Sequence, residues 1–144
     1  MHLTAFTDFG LRILMLLAGA PGRSFTTKEI ASEFEISRNH LAKVVQDLAK
    51  GGYIKTQRGS GGGILLAMAP QSITLGDVVR FMERRHAMVE CFRADGGKCK
   101  LTPQCLLKQR FFEAKQAFLR ELDTTTLAEC AYSGTVRGIN ILLS

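Results

Sequence analysis

The stretch from Thr26 to Met68 constrains this chain more than any other part of it. Thr26-Thr27-Lys28-Glu29 has the spacing of a capping box and opens a short helix with Ile30, Ala31 and Phe34 on one side. Glu35-Ile36 supplies a tight turn. Ser37 then caps a second helix, whose Leu41, Val44, Val45 and Leu48 form an apolar stripe ended by Gly51-Gly52. Two short helices joined in this way, the second amphipathic, make a helix-turn-helix. Tyr53–Gln57 and Gly63–Met68 read as two strands, with Arg58-Gly59-Ser60-Gly61-Gly62 as the tip between them. The spacing predicts a mainly α chain built on a winged helix-turn-helix, with the hairpin as the wing.

A unit of this shape reads duplex DNA. Ser37, Arg38, Asn39, His40 and Lys43 lie off the apolar stripe, at the end of the second helix that enters a major groove in such motifs. Asparagine pairs with adenine edges, arginine with guanine, and lysine suits phosphate. In the wing, Arg58 with Ser60 and Gly61 forms a positive tip of little bulk, able to approach the sugar-phosphate backbone and enter a minor groove. The plain alternative is a solvated helix face, and the presence of a wing weighs against it. The tip is not a nucleotide cradle, because it joins strand to strand and lacks the lysine motif of phosphate-binding loops.

Composition narrows the class further. With 144 residues, 46% of them hydrophobic, the chain can build one domain, or one compact domain with an appended oligomerisation element. A net charge of +6 and a pI near 9.4 suit an anionic partner. Cysteines are too sparse for a disulfide-stapled secreted domain, which points to reduced thiols in the cytoplasm. The apolar run from Ile13 to Ala20 is far below the ~20 residues that span a bilayer, so it reads as a core helix with no membrane role. No converging carboxylate pair, Ser-His-Asp set or nicotinamide or flavin fingerprint is present, and no enzyme is expected.

The second informative stretch holds three of the four cysteines. Cys91, Cys99 and Cys105 are separated by Gly96-Gly97 and by Thr102-Pro103, turn residues that let the loop fold back with its sulfurs inward. That geometry suits a metal. Thr102 and Pro103 read as the N-cap and first residue of the next helix, which places Cys105 in its first turn, where the helix dipole favours an anionic ligand. Three thiols are one short of a closed site, so a fourth ligand must come from elsewhere. On the residues alone, ordinary thiols, a zinc site and an iron-sulfur site all remain open. The lack of a C-x2-C or C-x4-C pair counts against zinc.

The remaining segments are read as scaffold. Leu3–Ala18 is a helix with Phe6, Phe9, Ile13 and Leu17 on its buried face, and Asp8 and Arg12 form a weak exposed pair on another face. Ser72–Asp77 leads into a helix carrying Leu75, Val78, Val79 and Met82 that ends near Arg84-Arg85-His86. Cys105 to about Asp123 is the longest helix. Its stripe of Leu107, Phe111, Phe118 and Leu122, widened by Phe112, Ala114 and Ala117, reads as a dimer interface that matches a two-fold operator, or as a cover for its own core. Thr126–Glu129 has capping-box spacing for a short last helix or turn, Cys130 reads as a small buried residue outside the ligand set, and Ser133–Ser144 carries no functional signal.

Taken together, Thr7-Asp8-Phe9-Gly10-Leu11-Arg12, Ile36-Ser37 with Leu41, the wing Arg58–Gly63, Ile73-Thr74-Leu75 and the cysteine triplet resemble the IscR/NsrR family of winged-helix iron-sulfur regulators. The likeness covers nearly the whole chain, and the glycine-rich wing combined with the triplet is its specific part. The resemblance implies a homodimeric repressor that holds an iron-sulfur cluster on Cys91, Cys99 and Cys105 and binds a double-stranded DNA operator. Members of the IscR kind are expected to use a histidine three residues after the third cysteine, and here that position is Lys108. This favours the nitric-oxide-sensitive branch, in which a first-helix carboxylate from the partner subunit completes the site. In this sequence that residue is Asp8, with His86 and His2 as the alternatives. Ala42 stands where a glutamate is typical, which implies a different operator preference. Seven residues separate Cys91 from Cys99 and five separate Cys99 from Cys105, and the 4Fe-4S form is favoured over 2Fe-2S. The expected organisation is a winged-helix DNA-binding domain over 1–80, and a cluster-binding loop, dimerisation helix and C-terminal segment over 81–144. The competing readings are a zinc- or thiol-based redox regulator on the same fold, and an iron-sulfur electron carrier, which would need neither reading helix nor wing.

Overall fold

The computed structural model describes residues 2–102 and 104–132. Pro103, expected to open a helix, and the segment Ser133–Ser144 lie outside them. Helix α1 spans Ala5–Ala18 and is capped by Thr4, whose hydroxyl accepts the Thr7 amide at 3.2 Å. Its buried face is Thr7, Gly10, Ile13, Leu14 and Leu17. The expected Phe6 and Phe9 lie on the flank of that face and are only half-buried. The shift follows from packing: α1 is gripped by several elements at once, so its apolar surface is wider than a single stripe.

The reading unit forms as its capping chemistry requires. Helix α2, Thr27–Phe34, opens on a complete box in which the Glu29 amide reaches the Thr26 hydroxyl at 3.1 Å and the Glu29 carboxylate accepts the Thr26 amide at 2.7 Å. Glu35 turns the chain in the left-handed region, at φ 51. Helix α3, Arg38–Lys50, follows with the Ser37 hydroxyl accepting the His40 amide at 3.2 Å. Strands β1, Ile54–Gln57, and β2, Gly63–Leu66, pair antiparallel in the register Ile54↔Leu66 to Gln57↔Gly63. The expected strands are present, β1 without Tyr53 and β2 without Ala67 and Met68.

Helix α4, Leu75–Met82, is capped by the Thr74/Asp77 box, and helix α5, Leu106–Leu122, follows the cysteine loop. Ile13, Leu14, Leu17, Ile30, Leu41, Val44, Leu48, Ile73, Val78, Met82 and Leu127 are fully buried together. Each contributes roughly 1.5–3 kcal/mol of transfer free energy. Leu127 joins this core because the chain returns after α5: the Leu127 amide bonds the Ile73 carbonyl at 2.8 Å and the Tyr132 amide bonds the Met15 carbonyl at 2.9 Å.

Two expectations in the C-terminal half need correction. Cys105 is the N-cap of α5 and still extended, at φ −93 and ψ 109, so the helix starts at Leu106, three residues after the Pro103 start that the cap signal predicts, and Thr102 is too far back to cap it. Thr126–Glu129 opens the short turn expected of it, a single 3₁₀ turn over Ala128–Cys130, with the Glu129 carboxylate taking both the amide and the hydroxyl of Thr126. Cys130 is half-buried, not enclosed.

Candidate nucleic-acid interface and cysteine loop

Helix α3 presents two unlike faces. Leu41, Val44, Val45 and Leu48 point into the core, while Ser37, Arg38, Asn39 and Lys43 are exposed. His40 is half-buried. Its ring stacks on Phe6 at 6.2 Å and meets Phe9 edge-on at 5.3 Å, so it joins the first turn of α3 to the flank of α1. Arg58, Ser60 and Gly61 are exposed at the wing tip. Gln46 and Lys55 are exposed as well, and the sequence reading passed over them. Gln46 follows Lys43 by three positions, a helical spacing that could have flagged it.

The larger omission is Asp47. It lies within the apolar stripe of α3, is only 5% exposed, and takes a two-pronged grip from Arg84 at 2.9 and 2.6 Å. Arg84 in turn lies over the Phe81 ring at 3.9 Å. The hydrogen bonds from Arg84 hold the Asp47 carboxyl below the usual carboxylate range. A carboxylate in an apolar stripe needs a partner, and that requirement was the signal available beforehand. The neighbouring Glu83 clamps α1: its carboxylate accepts from the Thr4 amide and hydroxyl, each at 2.8 Å, and from the Thr7 hydroxyl. Burial pushes the Glu83 carboxyl up, but the Thr7 and Thr4 bonds outweigh it and hold the group below its ordinary value. Two adjacent residues, seven and eight positions before Cys91, thus tie the stem of the cysteine loop to both α1 and the reading helix.

Within the loop the carboxylates are occupied with structure. Glu90 accepts the Lys98 amide at 2.8 Å, and Asp95 accepts the Gly97 amide at 3.0 Å and pairs with Arg93 at 2.7 Å. Gly97 has φ +65, and an added Cβ would come within 2.7 Å of the Glu90 carbonyl oxygen, so this pinch requires glycine. It draws together the chain at residues 90 and 98, each immediately before a cysteine. Phe92 then meets Phe112 of α5 edge-on at 6.4 Å, docking the loop beside Cys105. A hollow of about 620 Å³ opens there, lined by Phe92, Gln104, Cys105, Leu106, Lys108, Gln109 and Phe112.

The donor set fits a soft-metal centre in its chemistry. Cys91, Cys99 and Cys105 are all free and half-buried, and the buried Thr102 hydroxyl between the last two has no hydrogen-bond partner among the described residues. A leftover hydroxyl donor in a thiol-bearing loop is the complement an anionic sulfur would satisfy. The single chain does not finish the site: among the described residues no three Cys, His, Asp or Glu side chains are gathered closely enough to hold a metal ion. Asp8 is half-exposed and pairs with Arg12 at 2.7 Å on α1. No helix among the described residues is long and apolar enough to cross a membrane.

Comparison with known proteins agrees with this architecture. Residues 3–132 match the family described as Rrf2, iron-dependent transcriptional regulator. The HTH-type transcriptional regulator NsrR of Geobacillus kaustophilus is 48% identical over 130 residues, 90% of this chain and 88% of that one. The NsrR of Bacillus subtilis is 45% identical, over 90% of this chain and 89% of its own. Among solved structures, CymR, the global cysteine regulator of B. subtilis, superposes with a TM-score of 0.72 at 28% identity, covering 91% of this chain and 96% of that one. T. potens IscR superposes with a TM-score of 0.70 at 25% identity, covering 90% and 85%. With a capped reading helix, a glycine-tipped wing and a cysteine loop in one frame, and with relatives of this closeness, the chain belongs to the Rrf2 family of transcriptional regulators and is not an enzyme.

Proposed function

We propose that the protein is a homodimeric DNA-binding repressor that holds an iron-sulfur cluster, 4Fe-4S in preference to 2Fe-2S, and releases its operator in response to nitric oxide. The observation that carries this reading is the loop of three free, half-buried thiols, pinched by Glu90 and Lys98 and docked on α5, in a chain 48% identical to an NsrR. Cys91, Cys99 and Cys105 would hold the cluster from one subunit and Asp8 would complete the set from the other. A bound cluster supplies iron sites open to nitric oxide, and an oxygen ligand holds iron less firmly than a thiolate does.

What the chain's own residues add is the mechanical link. Asp8 sits in the first turn of α1, and Phe6 and Phe9 on either side of it pack on His40 in the first turn of α3. Any change in what holds Asp8 therefore bears on the end of the reading helix that carries Arg38 and Asn39. In a symmetric dimer the two reading helices must be about one turn of duplex apart, so a small tilt of each lowers operator affinity. The second subunit is supported by α5, whose neighbourhood leaves Leu101 71%, Leu106 65%, Leu107 61% and Phe112 52% exposed.

The test is anaerobic purification followed by iron and acid-labile sulfide analysis of wild type and Asp8→Ala, with binding to the duplex that the wild type selects from a randomised pool. Stoichiometric iron and sulfide in the wild type, and altered visible circular dichroism with a blunted response to nitric oxide in Asp8→Ala, are expected. Iron-free protein that still binds and still lets go on exposure to the gas overturns the cluster reading. An Asp8→Ala variant identical to wild type reduces Asp8 to the surface partner of Arg12.

A further inference from the structure

The wing tip is made of residues with little to pack: Arg58, Gly59, Ser60 and Gly61 are all exposed. A tip of this composition invites the view that glycine is there for mobility. The local geometry shows otherwise. An added Cβ at Gly62 would lie 2.4 Å from the Gln57 carbonyl oxygen, and one at Gly63 would lie 2.6 Å from that of Phe25, so close backbone approach selects glycine at both. The Gly62 amide closes the turn on the Gly59 carbonyl at 3.0 Å. The hairpin is therefore tightly wound and pressed against the connection between α1 and α2.

That connection is itself well anchored. Phe25 and Ile64 exchange both backbone bonds, at 2.9 and 2.7 Å, which gives β2 a one-residue partner on its outer edge. Arg23 lies over the Phe25 ring at 4.2 Å and pairs with Glu29, the capping residue of α2, at 2.9 Å. Between these two fixed residues, Ser24 donates its hydroxyl to the Gly61 carbonyl at 3.0 Å. This bond ties the turn of the wing directly to the body of the reading unit.

We propose that Ser24 is a positioning residue for the wing, latching the tip so that Arg58 is held where it meets the DNA backbone. The inference rests on reading Arg58 as a DNA contact. A glycine-rich tip loses much conformational freedom when it is immobilised on DNA, and a latch that immobilises it beforehand removes that cost from binding. Ser24 carries no charge and need not touch DNA, yet its loss should register as the loss of a charged contact.

The experiment compares wild type, Ser24→Ala, Arg58→Ala, the double variant and Ser24→Thr, each full-length and purified anaerobically, on the duplex selected by the wild type. Affinity is measured across a salt series. Ser24→Ala is expected to weaken binding by about fivefold, the equivalent of one hydrogen bond, with the unfolding midpoint lowered by no more than about 4 °C, so the protein stays fully folded in the assay. It should also flatten the slope of log K against log salt by nearly the ~0.9 that removing one phosphate contact produces, although no charge has been removed. In the double variant the serine change should add almost nothing to Arg58→Ala, and Ser24→Thr, which keeps the hydroxyl, should behave as wild type. The latch is overturned if Ser24→Ala leaves the salt slope at the wild-type value, or if its effect simply adds to that of Arg58→Ala. If Arg58→Ala itself changes neither affinity nor slope, the wing contact is the reading that fails, and the latch fails with it.

Discussion

Replacing Arg84 by methionine should expose how strongly the stem of the cysteine loop is welded to the reading helix. The Asp47 side chain is 7% exposed, and Arg84 supplies both of its short bonds. Removing one member of such a buried pair costs roughly 3–5 kcal/mol, mostly because the remaining charge is left without a partner. Arg85 lies 3.7 Å from the same carboxylate and Arg84 is itself 31% exposed, so the lower end applies: about 3 kcal/mol. That corresponds to about 10 °C in unfolding temperature for a chain of this size.

The sign of the pH dependence follows from the direction of the shift. The folded-state pKa of Asp47 is depressed, so the pair stabilises fully above the unfolded value of 3.8, and this contribution is lost as pH falls through the lower folded value. In Arg84→Met the same carboxylate is buried without its partner and gains from protonation. The gap between the two proteins is therefore full at neutral pH and closes as the medium is acidified. Urea unfolding at fixed protomer concentration, at neutral and mildly acid pH, measures it. Asp47→Leu combined with Arg84→Met removes both charges and should recover most of the loss. A single variant within about 0.5 kcal/mol of wild type, or a double variant no better than the single, refutes the reasoning.

Other outcomes follow from the same structure. Gly97→Ala forces a Cβ to within 2.7 Å of the Glu90 carbonyl at φ +65, and should lower iron bound per protomer after anaerobic preparation while leaving far-ultraviolet circular dichroism unchanged; unaltered iron content would count against the pinch. Glu83→Gln should remove an acid limb from stability. The Glu83 carboxyl lies below its ordinary value of 4.5, so its clamp on Thr4 and Thr7 is present above that value and is lost as pH falls below it. Hydrogen exchange of the first-turn amides of α1 reads this directly. Leu107→Glu with Phe112→Glu places charge on residues 61% and 52% exposed in the single chain, and sedimentation should show monomer in place of the dimer proposed for the parent.

Much of the reading unit was legible because its signals are local. The Thr26/Glu29 box, the Ser37 cap, the stripe from Leu41 to Leu48 and the glycine tip each declare their structure within a few residues. The comparisons then supplied the family that the cysteine triplet and wing had suggested. The start of α5 was misjudged for the complementary reason. Thr102-Pro103 is a valid local start signal, but α5 opens only at Leu106, with Cys105 extended as its cap and Phe92 docking the loop on Phe112, a contact across the loop that spacing cannot reveal. His40 likewise looked like another groove-facing side chain, and only the crossing of α1 over α3 shows its ring between Phe6 and Phe9.

By itself, then, the amino-acid order determined which segments would be helix, hairpin and thiol-bearing loop, because capping, periodicity and turn chemistry act over three or four residues. Tertiary structure alone decided what those segments hold on to. Arg84 on Asp47, Glu83 on Thr4 and Thr7, and Ser24 on Gly61 join residues 37 to 79 positions apart, and partners at such separations are chosen by how the core brings surfaces together.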